Sequence, residues 1–147
     1  MIYRLCPRCN TKYGHGESCP KGCYKLSRLE SAKVYDKYQR KNTAFYNSTD
    51  WNKLSSLCIN KFNGLDIYQL YKYGNYVYGT TAHHIVPIND DMNRSLDINN
   101  LIYVNHASHA EIHAIYNKSP EDKEKMQEYL FEITERYVVD YSPLHRG

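Results

Sequence analysis

Apolar positions divide the chain into a polar, cysteine-bearing start, a helical middle and a mixed remainder. Residues 1–25 are rich in Cys, Gly and Pro and hold too few apolar side chains for a core of their own. Over residues 26–56, Leu26, Leu29, Val34, Tyr38, Phe45 and Trp51 recur among Lys and Arg, a pattern that predicts helices. Asn47-Ser48-Thr49-Asp50 interrupts them and offers an N-cap for a helix carrying Trp51, Leu54 and Leu57. From residue 57 to 147 the pattern is mixed. Tyr76 to Tyr78, Thr80 to Val86 and Leu101 to Val104 read as short strands, the last two separated by the polar stretch Asn89–Asn99. A helix follows from about Ala107 to Asn117. Ser119-Pro120-Glu121-Asp122 then starts a second one, with a cap, a proline at the first position and Met126, Leu130, Ile133 and Tyr137 at helical spacing. The expectation is an α+β chain with units at 1–25, 26–56 and 57–147.

At 147 residues the chain has room for one domain and a small appendage, and 41% hydrophobic with 24% charged residues is ordinary for a folded protein. No apolar run is long enough to span a membrane. The first residues do not read as a signal peptide, so a reducing cytoplasm is expected, where clustered cysteines read as metal ligands rather than disulfides. The net charge of +3 is unevenly spread. Residues 1–82 hold 13 Lys/Arg against 5 Asp/Glu, and residues 83–147 hold 6 against 11. A basic first half suits a polyanion such as DNA; a solubilising surface of mixed sign is the competing reading. The 16 Tyr residues suit base stacking or, preferably, a Tyr-rich core.

Two clusters carry chemistry. Cys6-Pro7-Arg8-Cys9 and Cys19-Pro20-Lys21-Gly22-Cys23 form CxxC and CxxxC pairs nine residues apart, suited to a structural Zn²⁺ that would order a segment too short to fold alone. His15 is an alternative to one thiol. Arg4, Arg8, Lys12, Lys21 and Lys25 surround the cluster, so nucleic-acid docking and a purely structural role both remain open. Five of the seven histidines fall in 31 residues: His83, His84, His106, His109 and His113. His109 and His113, four apart on a helix, share one face and can meet one ion. His83 and His84, adjacent on a strand, point to opposite faces, so one can ligate while its neighbour stays free as a general base. Three neutral protein ligands leave positions open for water and a phosphate oxygen.

Ala82-His83-His84-Ile85-Val86-Pro87, Asp97-Ile98-Asn99-Asn100-Leu101 and His109-Ala110-Glu111-Ile112-His113 together resemble the HNH, or ββα-metal (His-Me finger), endonuclease motif. The wider chain resembles short phage and prophage members with an N-terminal zinc ribbon. The resemblance implies a ββα-metal core with flanking helices and metal-dependent hydrolysis of phosphodiesters in DNA. It casts His83 and His109 as metal ligands, His84 as the base that activates water, and Asn100 as the residue that holds the base in orientation. His113 matches an extra ligand found in some branches, while His106 matches no family position and is expected exposed or facing phosphate. Arg94 is a candidate phosphate contact; an ion pair with Asp90, Asp91 or Asp97 is the other reading. All-imidazole ligation favours Zn²⁺, Ni²⁺, Co²⁺ or Mn²⁺ over Mg²⁺. Small phage relatives often assist the packaging terminase, which makes that protein a candidate partner in a bacterial host's cytoplasm. Many relatives hold a second four-cysteine zinc. Here Asn105-His106-Ala107-Ser108 and the region of Tyr68-Gln69-Leu70-Tyr71 stand in those places, and hydrophobic packing of Tyr68, Leu70 and Tyr71 is expected instead. Cys58 is expected to be a small buried residue. The competing function is a non-catalytic zinc-dependent nucleic-acid-binding module, which has no use for His84 or Asn100.

Overall fold

The computed structural model describes residues 2–39 (backbone alone for 34–39) and 42–141, so the side chains of Val34 and Tyr38 lie outside the described residues. Two short strands, β1 (Tyr3–Leu5) and β2 (Lys12–Gly14), pair antiparallel at the start of the chain. Helices α1 (Cys23–Gln39), α2 (Thr43–Tyr46), α3 (Thr49–Lys61) and α4 (Ile67–Tyr73) follow. Next come β3 (Thr81–His84), two single 3-10 turns at Met92–Arg94 and Ile98–Asn100, β4 (Leu101–Val104), α5 (His106–Tyr116) and α6 (Pro120–Tyr141). β3 and β4 form an antiparallel pair that sets His83 opposite Ile102 and His84 opposite Leu101.

The core gathers around β4, whose four residues are all buried. Phe62, Ile67, Tyr68, Ile85, Ile112, Leu130 and Ile133 close around it with almost no exposed surface. The helix ends follow local rules. Ser48 accepts from the Trp51 amide at 3.1 Å to start α3, and Ser119 accepts from the Asp122 amide at 3.0 Å to start α6. On α6 the stripe Met126, Leu130, Ile133 and Tyr137 is buried. On α3 the buried face runs through Trp51, Leu54 and Cys58, whereas Leu57 is exposed.

Several expectations need correction. Tyr76 to Tyr78 is not a strand: Tyr78 makes one isolated antiparallel bridge, to Leu65, and both tyrosines are exposed. The segment lies between Gly74, the left-handed C-cap of α4, and Gly79, where an added Cβ would stand 2.5 Å from the Tyr103 ring. β3 stops at His84, before Val86, because the Ile85 and Val86 amides turn to the backbone and side-chain oxygens of Asn100. Leu26 and Leu29 are exposed; the buried face of α1 is Cys23, Ser27 and Ser31, small residues that let the helix settle closely on α5. That helix starts at Cys23, so the border drawn at residue 25 falls inside it.

Beneath the start of α5, beside the expected packing of Tyr68, Leu70 and Tyr71, lies a carboxylate. Asp66 is fully buried and accepts from the Gln69 amide (2.9 Å), the Asn105 amide (2.8 Å) and the Ser108 hydroxyl (2.7 Å). It thereby caps α4 and ties down the first turn of α5, while Asn105 caps α5 through the Ser108 amide. Tyr68 is buried beside it, with Leu70 and Tyr71 at the edge of the core. Asp66→Ala should leave three donors without an acceptor and cost roughly 3 kcal/mol. A urea midpoint equal to wild type would show that water replaces the carboxylate.

Candidate metal centre

β3, β4 and α5 bring the histidines together. Alternation along β3 sends the His83 ring toward α5, 5.4 Å from the His109 ring and 4.9 Å from that of His113, and sends His84 to the other side. The His109 and His113 rings, one helical turn apart, lie 4.6 Å from each other. One nitrogen from each of the three falls within 4.8 Å of the others, a span that a single cation can bridge. His83 Nε2 is buried without a hydrogen-bond partner, a costly condition that metal coordination would relieve. The donor set therefore fits a borderline divalent ion. Tyr116 packs against His83 and His113 and donates at 2.6 Å to the carbonyl of Ile85, holding β3 to α5.

His84 is buried on the opposite face. Its Nε2 is 2.9 Å from the carbonyl oxygen of Ser95, which can only accept, so Nε2 carries the proton and Nδ1 the lone pair. Trp51 stacks on the ring at 4.9 Å and 25°. Phe45 and Tyr46 of α2 complete an aromatic cover, with the Tyr46 hydroxyl 3.4 Å from Nδ1. The ring is held and covered, and beside Nδ1 stands the hydroxyl of a tyrosine on a four-residue helix. Asn100, fully buried, braces the loop that supplies the Ser95 carbonyl. Its amide nitrogen donates to the carbonyls of Val86 (3.0 Å) and Arg94 (3.2 Å), and its oxygen accepts from the Val86 amide (2.9 Å).

The Arg94 guanidinium lies 5.0 Å from the centre of the Phe131 ring on α6. It lines a cavity of about 400 Å³ with Lys61, Asn99, Thr134 and Glu135, to which none of the clustered histidines contributes. Asp90 pairs with Lys123 instead. His106 is half-buried, with Nδ1 3.4 Å from Ser31 Oγ.

In the N-terminal module the sulfurs of Cys6, Cys9, Cys19 and Cys23 all lie within 4.8 Å of one another, and no disulfide joins them. The CxxC turn closes through the Asn10 amide on the Cys6 carbonyl (2.8 Å), and its partner through the Gly22 amide on Cys19 (2.9 Å). Four thiols so grouped fit a tetrahedral ion such as Zn²⁺. His15 is exposed and contacts Arg4 rather than the sulfurs. Arg8 reaches from the first turn to Glu30 and Ser27 of α1, fastening the module to that helix.

No family model matches the chain, and no curated protein matches it. Among solved structures it is similar to the HNH endonuclease of the deep-sea thermophilic bacteriophage GVE2, crystallised with a manganese ion. The two are 26% identical, with 64% of this chain and 95% of that one covered and a TM-score of 0.48.

Trp51, Phe45 and Tyr46 around His84, and Ser31 beside His109, are site residues that periodicity along the chain does not reveal. Their positions depend on how α1, α2 and α3 dock.

Burial lowers the pKa of His83, His84 and His109. His83 lies well below the ordinary range, pushed further by His113 and His109; His109 falls to about 4, helped by His106; His84 is lowered too, with the Ser95 carbonyl opposing. In the unfolded chain such groups titrate near 6.5. Between these values the unfolded state binds protons that the folded state refuses, so the stability from neutral imidazoles is complete above about pH 6.5 and drains away as pH falls toward 4. Metal-free protein should show a urea midpoint that declines over this window, and less steeply in His83→Leu. Equal slopes in the two proteins would contradict the burial of these rings in solution.

Proposed function

We propose that the chain is a metal-dependent endonuclease of the HNH type that hydrolyses phosphodiester bonds in DNA. What supports this reading above all is the pairing of His83 and His84: one imidazole converges with His109 and His113, and its neighbour is held by its Nε2–H with the lone pair on Nδ1. A divalent ion on His83, His109 and His113 would supply Lewis acidity, neutralising charge that grows on the phosphate and the departing oxygen.

The protein's own contribution is proton transfer and positioning. The Ser95 carbonyl fixes the His84 tautomer, so Nδ1 is the atom that takes a proton from water, and Trp51 keeps the ring plane in place. Asn100 holds the loop from which the Ser95 carbonyl projects. The depressed pKa keeps His84 in its basic, neutral form throughout the neutral range. For water to reach Nδ1 the Tyr46 hydroxyl must give way. The cysteine module, with its exposed Lys12, Lys21 and Lys25, and α1 form the DNA-docking part of this reading.

The aromatic cover over His84 favours a second reading, the zinc-dependent nucleic-acid-binding module without catalysis. Supercoiled plasmid incubated with Mn²⁺, Ni²⁺ or Mg²⁺ separates the two. Wild type should cut, EDTA should stop it, and His84→Ala should lose roughly 100-fold or more, as expected for removal of a general base. A wild-type protein that binds plasmid and leaves it uncut with every metal establishes the second reading instead.

A further inference from the structure

Helix α1 connects the two clusters of metal-binding side chains. Its first residue, Cys23, belongs to the four-cysteine group; four residues on, Ser27 receives Arg8 from the CxxC turn; four further on, Ser31 meets α5. All three are buried on one face of the helix. Ser31 Oγ lies 3.1 Å from His109 Nδ1 and 3.4 Å from His106 Nδ1. A serine hydroxyl accepts and donates at once, and of the two orders that satisfy the three groups the one compatible with an ion on His109 Nε2 has His109 Nδ1–H donating to Ser31 Oγ and the Ser31 hydroxyl donating to the Nδ1 lone pair of His106. That order leaves the lone pair of His109 on Nε2, the nitrogen then available to an ion. Imidazole ligands are commonly held in this way by an acceptor on their second nitrogen, and losing that partner weakens metal binding.

We infer that Ser31 is a positioning residue for the histidine centre: with His106 behind it, it fixes the tautomer and ring angle of His109, and through α1 it makes metal affinity at the histidines depend on the folded, metal-loaded cysteine module. About 12 Å of helix separates Cys23 from Ser31, given 1.5 Å per residue. Filling the four-cysteine site orders the turn that starts α1, and the ordered helix carries Ser31 to His109. The coupling is reciprocal, so an ion at the histidines strengthens the cysteine site by the same factor. His106, which has no place in the nuclease motif, acquires a role here. The inference rests on the proposed reading only in requiring that the histidine trio binds an ion; it does not require DNA cleavage.

The experiment is a titration of the full chain, zinc-loaded at the cysteines, with Mn²⁺ and Co²⁺ in the absence of DNA, followed by calorimetry and by the Co²⁺ visible spectrum. Ser31→Ala should weaken binding by roughly 10- to 100-fold, the range for loss of such a partner. Ser27→Ala, on the same buried face but out of reach of His109, should leave the affinity within a few-fold of wild type and so reports any general loosening of α1. In ¹⁵N spectra of imidazole-labelled protein, His109 should hold its proton on Nδ1 in wild type and lose that preference in Ser31→Ala. Equal affinity and an unchanged tautomer in Ser31→Ala, with wild type binding normally, overturn the inference and leave the proposed function standing. Equal losses in Ser27→Ala and Ser31→Ala overturn it too, since helix docking would then explain both. A wild-type protein whose histidines take no ion defeats both readings.

Discussion

The alternation of side chains along β3 is the constraint from which the site follows. Two adjacent histidines on an extended backbone must face opposite ways, so a single dipeptide serves two environments across one strand. On one side His83 closes a cluster with His109 and His113; on the other His84 lies between a backbone carbonyl and the Trp51 ring. Neither arrangement survives a one-residue slip of β3 against β4, which would exchange the two faces. Register is therefore guarded. Val86, Asn100 and Arg94 are tied by three hydrogen bonds through one buried asparagine side chain, and Tyr116 pins the Ile85 carbonyl from α5.

Buried imidazoles close to one another are an unfavourable arrangement for a protein core, because each loses solvation and none can accept a proton without repelling its neighbours. Rigid surroundings offset part of this cost: Tyr116 packs against the rings of His83 and His113, and the Ser31 hydroxyl, with His106 behind it, meets His109. The carboxylate that the fold does bury, Asp66, is used at the other end of the problem, to hold the first turn of α5 and thereby the helix that carries His109 and His113. One buried acid with three donors does the bracing there.

The elements with strong local signals are the ones legible in the chain. The Ser119-Pro120 start of α6 and its buried stripe, the Ser48 cap of α3, the strand at Leu101 to Val104 and the i, i+4 pair on α5 all appear where patterning places them, because caps and periodicity are local interactions. Failures have a local cause as well. Tyr76 to Tyr78 carries strand-forming residues but has no partner strand, and β propensity expresses itself only in pairing. Leu26 and Leu29 look like a core stripe, yet α1 docks through Cys23, Ser27 and Ser31, since a close approach to α5 selects small side chains rather than apolar ones.

What the sequence determined by itself is the chemical inventory and its local geometry: four thiols in two tight turns, two imidazoles on one helical face, two more on opposite faces of a strand. What only the tertiary structure decided is which of these meet and what covers them. The contact between Ser31 and His109 spans 78 positions, that between Tyr46 and His84 spans 38, and the one between Asp66 and Ser108 spans 42. No repeat or spacing encodes such pairs. They arise when helices dock and buried polar groups must find partners among whatever side chains the packing brings near.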